Sequence, residues 1–397
     1  MKEVVIVDAV RTPVGKHGGV LKDFTALDLM ERIIRGLIER TKIDPANITE
    51  VIVGNVFQSS DAPNVARVAA LKAGIPKDVP AYTTARNCGS GMDAIIQAWR
   101  GIQVGDGDIY LVGGVESMST IPYLVRGARW GLKLRHSELT DALWEGLTDP
   151  NCGQMMGRTA ENLVEEYGID RQLQDEFAVS SHLKAFQAQQ QGKFIEEILP
   201  IDIKKRKETV VFSEDETINS GLTLEKASLA PAVFKENGTV TPANACSISD
   251  GACAMLIMTR QKAEELGFSP LATIISYGYA GVEPERMGIA PAFAVPRALA
   301  RAELTLGQMD LIEINEAFAA QVLAVGQELN LDWEKVNVNG GAIALGHPVG
   351  SSGCRIVVTL VHELVRRSKM DQSSLYGLAS LCAEGGQGSA LIIKTPE

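Results

Sequence analysis

Short apolar runs alternate with helix-spaced apolar positions along most of the chain, which predicts an α/β fold with helices packed on a sheet. Residues 4–7 read as a buried strand, ended by Arg11-Thr12-Pro13. Thr25 reads as the N-cap of a helix over 26–40, where apolar residues fall at helical spacing. A strand over 51–54, a helix over 64–73 and a strand over 108–112 follow. From about 119 to 247 the regularity breaks. That stretch holds a basic-aromatic segment (126–135), an amphipathic helix over 159–167 and another over 171–191, with Asp170 as N-cap and Gly192 as stop. The run Lys204-Lys205-Arg206-Lys207 reads as a solvated face. Strand patterns resume at 252–259, 272–277 and 311–314. A helix starting near Pro291 or Ala292 carries 295–302, and an apolar helix-like run covers 354–365. Strands over 378–381 and 390–393 close the chain.

A repeat is visible within this pattern. Val51-Ile52-Val53-Gly54-Asn55-Val56-Phe57 resembles Ile312-Glu313-Ile314-Asn315-Glu316-Ala317-Phe318. Downstream of each lies a turn with Asn and Gly (Asn87-Cys88-Gly89; Asn339-Gly340-Gly341), then a strand ending in a Gly-Gly turn. Two similar α/β halves follow, with the irregular stretch inserted in the first.

Composition narrows the function classes. At 397 residues there is room for two or three domains, and 45% hydrophobic with 22% charged residues fits a soluble globular chain. A net charge of −11 disfavours nucleic acid and anionic membrane surfaces as partners. No apolar run reaches membrane-spanning length, and the N-terminus reads as a strand rather than a signal peptide. The cysteines at 88, 152, 246, 253, 354 and 382 form no CxxC pair, which fits reduced thiols in a cytoplasmic protein.

Candidate chemistry sits on turns after strands. Cys88 lies in Asn87-Cys88-Gly89-Ser90-Gly91, ahead of an apolar helix pattern. At a helix N-terminus, unpaired N–H groups and the helix dipole favour a thiolate and could bind an oxyanion. His347, one of five histidines, lies in the glycine-rich stretch 338–355, with Pro348 restricting its backbone. GxGxxG and GxxxxGK[ST] are absent there, so a phosphate loop is not indicated. Cys382 ends a strand beside glycines, and Asn315 and Glu316 lie at a strand's carboxyl end, where α/β sheets build sites. There is no GxSxG and no closely spaced metal-ligand set. Cys88 and His347 alone suggest cysteine acyl transfer or hydrolysis, and Cys382 adds a second acid/base.

Five motifs, in order and spacing, resemble the thiolase family over nearly the whole chain. They are Asn87 to Gly91, Gly113-Gly114-Val115-Glu116-Ser117-Met118, Asn315-Glu316-Ala317-Phe318-Ala319, the stretch from Gly340 to Gly353 with Gly346-His347-Pro348, and Cys382 with its glycines. The resemblance is greatest to acetyl-CoA acetyltransferases. It implies a duplicated five-layered α-β-α-β-α fold. Residues 1–118 with 248–268 would form the first half, 119–247 a loop domain over the site, and 269–397 the second half.

It further implies the reversible conversion of two acetyl-CoA to acetoacetyl-CoA and CoA, with CoA as substrate or product and no metal or redox cofactor. Cys88 would hold the acyl group, Cys382 would move the α-proton, and His347 with a water on Asn315 would stabilise the enolate. N–H groups at Cys88 and near Glu384 would bind the oxyanion. CoA contacts carry over to Leu147, Met156, Met287, Ala317 and Phe318, and to the 242–248 loop with Pro242, Cys246, Ser247 and Ile248. A homodimer or homotetramer is implied. The alternatives are a degradative thiolase for longer 3-ketoacyl-CoAs and, more remotely, a non-catalytic acyl-CoA-binding member.

Four positions depart from the family pattern. Cys246 replaces a serine, Met155 a histidine, an arginine near Ala230 is missing, and Glu384 replaces a glycine. Glu384 is expected to strain the backbone if φ is positive there, and to raise the pKa of Cys382.

Overall fold

The computed structural model describes residues 1–204 and 208–396, so Lys205, Arg206 and Lys207 of the basic run lie outside the described residues. Among the described residues nine strands form the main path of a ten-stranded sheet: β1 (Val4–Arg11), β2 (Glu50–Gly54), β3 (Ala81–Thr84), β4 (Ile109–Ser117), β5 (Ser249–Thr259), β6 (Ala272–Gly281), β7 (Leu311–Ile314), β8 (Tyr376–Ala383) and β9 (Gln387–Lys394). The tenth, the two-residue Gly15–Lys16, pairs with β5. Eight longer helices pack with them: α1 (Ala26–Thr41), α2 (Val65–Lys72), α3 (Ser90–Val104), α4 (Met156–Tyr167), α5 (Arg171–Gln190), α6 (Pro291–Ala302), α7 (Ala319–Leu329) and α8 (Val349–Asp371). Among the described residues no helix is long and apolar enough to cross a membrane.

The strand order is β7-β8-β9-β6-β1-β5-β4-β2-β3, and it contains one pattern twice. In the first half β1 pairs antiparallel with β5 and β5 with β4, while β4, β2 and β3 run parallel. In the second half β6 pairs antiparallel with β9 and β9 with β8, while β8 and β7 run parallel. A parallel bridge from Ile312 to Val336 stands where β3 would be. The halves join through only two pairs, Val5–Thr273 and Ile6–Ala272. The repeat read from 51–57 and 312–318 is therefore structural: β2 and β7 hold equivalent places.

Five layers follow from which faces are apolar. Leu29 and Ile33 of α1 and Ala66 and Ala69 of α2 pack on Val51 and Leu111 of the first half. Val295 of α6 and Val322 of α7 pack on Ile314 and Ile392 of the second. Between them, α3 and α8 share one core with both halves through Ile95, Val357, Val112 and Leu381. A helix enclosed by two sheets must be apolar or small all round. Residues 349–361 of α8 are accordingly all buried.

The N-terminal turns of α3 and α8 touch backbone to backbone. A methyl group on Gly91 would lie 2.7 Å from the Cys354 nitrogen, and one on Gly353 would lie 2.6 Å from the Met92 nitrogen. Each helix thus needs a glycine where the other passes. This corrects two expectations. Gly350-Ser351-Ser352-Gly353 is not a turn before the helix but its first turn, because α8 starts at Val349. Gly113-Gly114 is not a turn either. Both lie inside β4, where a side chain would collide with the carbonyl oxygens of Cys253 and Gly350.

Local signals mostly hold. Thr25 caps α1 with a full capping box, Asn64 caps α2, and Asp170 caps α5. The cap of α6 is Ala290 rather than Pro291 or Ala292, since proline is tolerated as the first helical residue. The first strand is tied to the inserted stretch by a buried ion triad. Arg11 Nε meets Glu197 at 2.6 Å, and Arg11 Nη1 meets Asp215 at 2.7 Å.

Gly353→Ala should lower stability by about 1–3 kcal/mol through overpacking, visible as a reduced denaturant midpoint. Gly307→Ala, with open space around the added methyl, serves as the control and should leave the midpoint nearly unchanged.

Candidate active site

A cavity of about 480 Å³ is lined by both halves and by the 119–247 segment. Cys88, His347 and Cys382 all face it. Leu147, Met156, Met287, Ala317 and Phe318 line its walls, as do Pro242, Cys246, Ser247 and Ile248. The residues singled out from the sequence thus face one cavity, except Asn315, Glu316 and Glu384, which stand behind its wall.

Cys88 sits on a tight turn two residues before α3. Asn87 takes a left-handed conformation (φ 45°), and the Ser90 N–H returns to the Asn87 carbonyl at 2.9 Å. Asn tolerates that conformation better than most residues. Arg86 Nε donates to Asp93 at 3.0 Å, Tyr279 donates to the same carboxylate at 2.5 Å, and the Arg86 guanidinium lies over the Tyr279 ring. Across the cavity, Asn87 Nδ2 donates to the Glu384 carbonyl at 3.1 Å, tying the nucleophile turn to the turn after Cys382.

The Cys88 thiol does not rest as the thiolate that a helix N-terminus suggests. The N-cap is Gly89, not Cys88. Burial and the Glu384 carboxylate push the thiol up to about 12, against the N–H groups of Glu384 and Cys88, which favour the anion. Those two N–H groups are the ones expected near an oxyanion.

His347 comes from the loop before α8. Its N–H donates to the Ser247 carbonyl at 3.1 Å, and its Nδ1 lies 2.6 Å from Ser352 Oγ. Ser352 in turn donates its only proton to the Pro348 carbonyl at 3.0 Å. With the Ser352 proton on the Pro348 carbonyl, the matching tautomer has its proton on Nδ1, shared with Ser352, and a free lone pair on Nε2. Burial, with Arg355 adding to it, pulls the imidazole down to about 3, so it is a neutral base.

Cys382 is the penultimate residue of β8 and is buried. Burial raises its pKa well above the usual thiol value, with Cys88 and Cys246 adding to the rise. Cys246 is raised for the same reasons, burial and then Cys88. The three thiols thus interact electrostatically. The loop holding Cys246 is zipped onto the second half: Cys246 N–H donates to the Ala317 carbonyl at 3.0 Å, and Ala245 bridges to Phe318.

Asn315 stands behind the histidine. It is fully buried, its Nδ2 is 3.5 Å from His347 Nδ1, and its Oδ1 has no hydrogen-bond partner. That unpaired oxygen is the kind of group a buried water satisfies. Glu384 does not behave as expected. The positive φ values of its turn belong to Gly385 (80°) and Gly386 (72°), so the glutamate is unstrained. Its charge bears on Cys88, not Cys382.

Sequence reasoning missed Ser352, which holds the histidine. The signal was present in principle: a helix starting at Val349 places residue 352 on its first turn, beside the residue that enters it. It also missed Glu116. That buried carboxylate accepts from Asn55, Val56, Phe57 and Gly350, so it anchors the start of α8 to the first half.

Ser352→Ala should leave the fold intact while freeing the imidazole to turn and to change tautomer. A loss of about 10–100-fold in turnover is expected, with unchanged thermal stability to within about 1 kcal/mol. Steady-state kinetics beside a melting curve checks both.

The geometry agrees with what the chain is similar to. The model of the thiolase N-terminal domain matches residues 4–261, and that of the thiolase C-terminal domain matches 268–395. A probable acetyl-CoA acyltransferase of Staphylococcus aureus is 48% identical over 395 residues, covering 99% of each chain. The crystal structure of the Bacillus anthracis acetyl-CoA acetyltransferase superposes with a TM-score of 0.96 at 47% identity, covering 100% of this chain and 99% of that one. Human mitochondrial 3-ketoacyl-CoA thiolase superposes equally well, with a TM-score of 0.96 at 44% identity and the same coverage. With both halves, their shared cavity and its cysteines and histidine accounted for by one architecture, the chain belongs to the thiolase family.

Proposed function

We propose that the chain catalyses reversible CoA-dependent cleavage of a 3-ketoacyl-CoA through an acyl-cysteine, with acetoacetyl-CoA, CoA and acetyl-CoA as its basic set. The observation that carries this reading is the convergence of Cys88, Cys382 and a neutral His347 on one apolar cavity.

The steps follow from the charge states. In thiolysis the Cys88 proton passes to His347 Nε2 as sulfur bonds to the 3-keto carbon. The N–H groups of Cys88 and Glu384 receive the developing oxyanion. The carbon–carbon bond breaks, its electron pair forms the enolate of acetyl-CoA, and Cys382 supplies the α-proton. His347 and a water on Asn315 Oδ1 steady the enolate oxygen. CoA then gives up its thiol proton to the Cys382 thiolate, its sulfur takes the acyl group from Cys88, and His347 returns its proton to the released Cys88 sulfur. Condensation is the reverse. Two thiols are needed because nucleophile and acid/base act at different carbons. Residues 119–247 serve as the CoA-covering segment, with Leu147, Met156 and Phe234 against the pantetheine arm.

Acetyl-CoA acetyltransferase is the first reading for chain length. A specific feature favours a second. The cavity wall is largely aliphatic and thioether, and Met155 adds to it where the family pattern has a histidine. Such a wall suits a longer acyl chain. A homodimer or homotetramer and a cytoplasmic location complete the proposal by analogy with the family.

Thiolysis of a 3-ketoacyl-CoA series tests both readings. A preference for acetoacetyl-CoA supports the first, and rates that hold or rise with length support the second. Cys88→Ala should abolish the acyl adduct seen by mass spectrometry. Cys382→Ser should keep that adduct but lose α-proton exchange; an adduct that persists without Cys88 refutes its role.

A further inference from the structure

The turn after Cys382 carries a carboxylate for which the reaction above has no use. Glu384 presents its N–H to the Cys88 sulfur, and its carbonyl accepts from Asn87 at 3.1 Å. Its backbone is thus fixed beside the nucleophile. Its side chain is half-buried, and among the described residues it has no hydrogen bond and no ion pair. Nature rarely leaves a carboxylate unpaired so close to a sulfur that must become an anion.

The charged and titratable groups around it are few. Cys88 and Arg86 come from the nucleophile turn, and Cys382 from its own strand. Asp149 comes from the inserted segment, where its Oδ2 accepts the Gly385 N–H at 2.9 Å. Glu283 lies behind Gly386, where the Val282 N–H meets the Gly386 carbonyl. Arg86 is committed to Asp93 and, at 3.3 Å, to Gln387. Glu283 is paired with Arg286 at 3.4 Å. The near, unscreened neighbours of the Glu384 carboxylate are therefore an anion, Asp149, and a thiol.

We propose that Glu384 is an electrostatic control on the nucleophile: Cys88 is acylated while Glu384 is neutral, and ionised Glu384 holds back the sulfur. The proposal rests on Cys88 being the acyl acceptor. When the Cys88 proton moves to His347 and sulfur attacks, negative charge passes from sulfur to the carbonyl oxygen. Both positions lie at the N–H of Glu384, and the carboxylate of the same residue already raises the Cys88 thiol, so the two groups of one residue act on that charge in opposite senses. A neutral carboxyl leaves the oxyanion donors unopposed; a carboxylate opposes them. Burial first, and Asp149 second, push the carboxyl up to about 7, so the change falls within the working range. The sign is that the group is neutral and permissive below that pH, and charged and inhibitory above it.

The test follows the sulfur itself. Alkylation of Cys88 by iodoacetamide is measured by mass spectrometry on the full chain from about pH 5.5 to 9, for wild type, Glu384→Gln and Asp149→Asn. The wild-type rate should climb with pH, break near neutrality where Glu384 ionises, and then climb again from a lower level, because the new carboxylate raises a thiol that itself titrates well above this range. Glu384→Gln should keep only the weaker break that the buried Glu116 carboxyl, also pushed up to about 7, imposes on the thiol, and should exceed wild type by about tenfold at the alkaline end while matching it at the acid end. Asp149→Asn keeps the carboxyl but removes the neighbouring anion, so the break should move to lower pH. Superimposable wild-type and Glu384→Gln profiles overturn the proposal, even where Cys88→Ala abolishes thiolysis. A break that stays in place in Asp149→Asn overturns it also. If Glu384→Gln weakens the break but Cys88→Ala still turns over, the functional reading fails while control of the sulfur by Glu384 stands.

Discussion

The contact on which the site depends is between two backbones. Where α3 and α8 cross, Gly91 faces the Cys354 nitrogen and Gly353 faces the Met92 nitrogen. No side chain separates them. Cys88 sits just before one of these helices and His347 just before the other, so the crossing sets the distance between thiol and imidazole. Glu116 fixes the same crossing from the side, through the Gly350 N–H and the loop after β2. A duplicated fold thus yields a site without repeated chemistry. Equivalent helix starts carry a thiol in one half and an imidazole in the other.

The electrostatics of the cavity favour neutral reactants. Burial in a largely apolar pocket raises the thiol and depresses the imidazole. An ion pair of thiolate and imidazolium is therefore not the resting state. Charge arises only when a carbonyl is in place to receive it, which also limits idle oxidation or alkylation of the sulfur. Ser352 matters for the same reason. A neutral imidazole has two tautomers, and only the one with its proton on Nδ1 offers Nε2 as a base.

Much of this was legible in the residues. Thr25 and Asp170 announce helix starts because capping is local chemistry. The Cys88, His347 and Cys382 turns stand out because glycines flank reactive groups. The failures share a cause. Gly113-Gly114 and the stretch Gly350 to Gly353 read as turns because glycine usually breaks elements. Here glycine sits inside a strand and a helix to let other backbones approach, and that need arises only from tertiary packing. The thiolate expected at Cys88 failed likewise. A helix N-terminus is visible in sequence, but the burial and the carboxylate that outweigh it are not. Asn315 read from the sequence as a site residue; in the structure it lies behind the histidine rather than on the cavity wall.

The backbone crossing also divides the molecule into parts that can change at different rates. The separation of the reactive groups is built from glycines with no rotamers to vary. The cavity wall comes from side chains on other segments, among them Met155, Met156, Phe234 and the 242–248 loop. Substitutions in that wall can reshape what the pocket admits without moving sulfur relative to imidazole. In evolutionary terms the arrangement of thiols and imidazole is inherited with the scaffold, whereas the shape of the wall is free to drift.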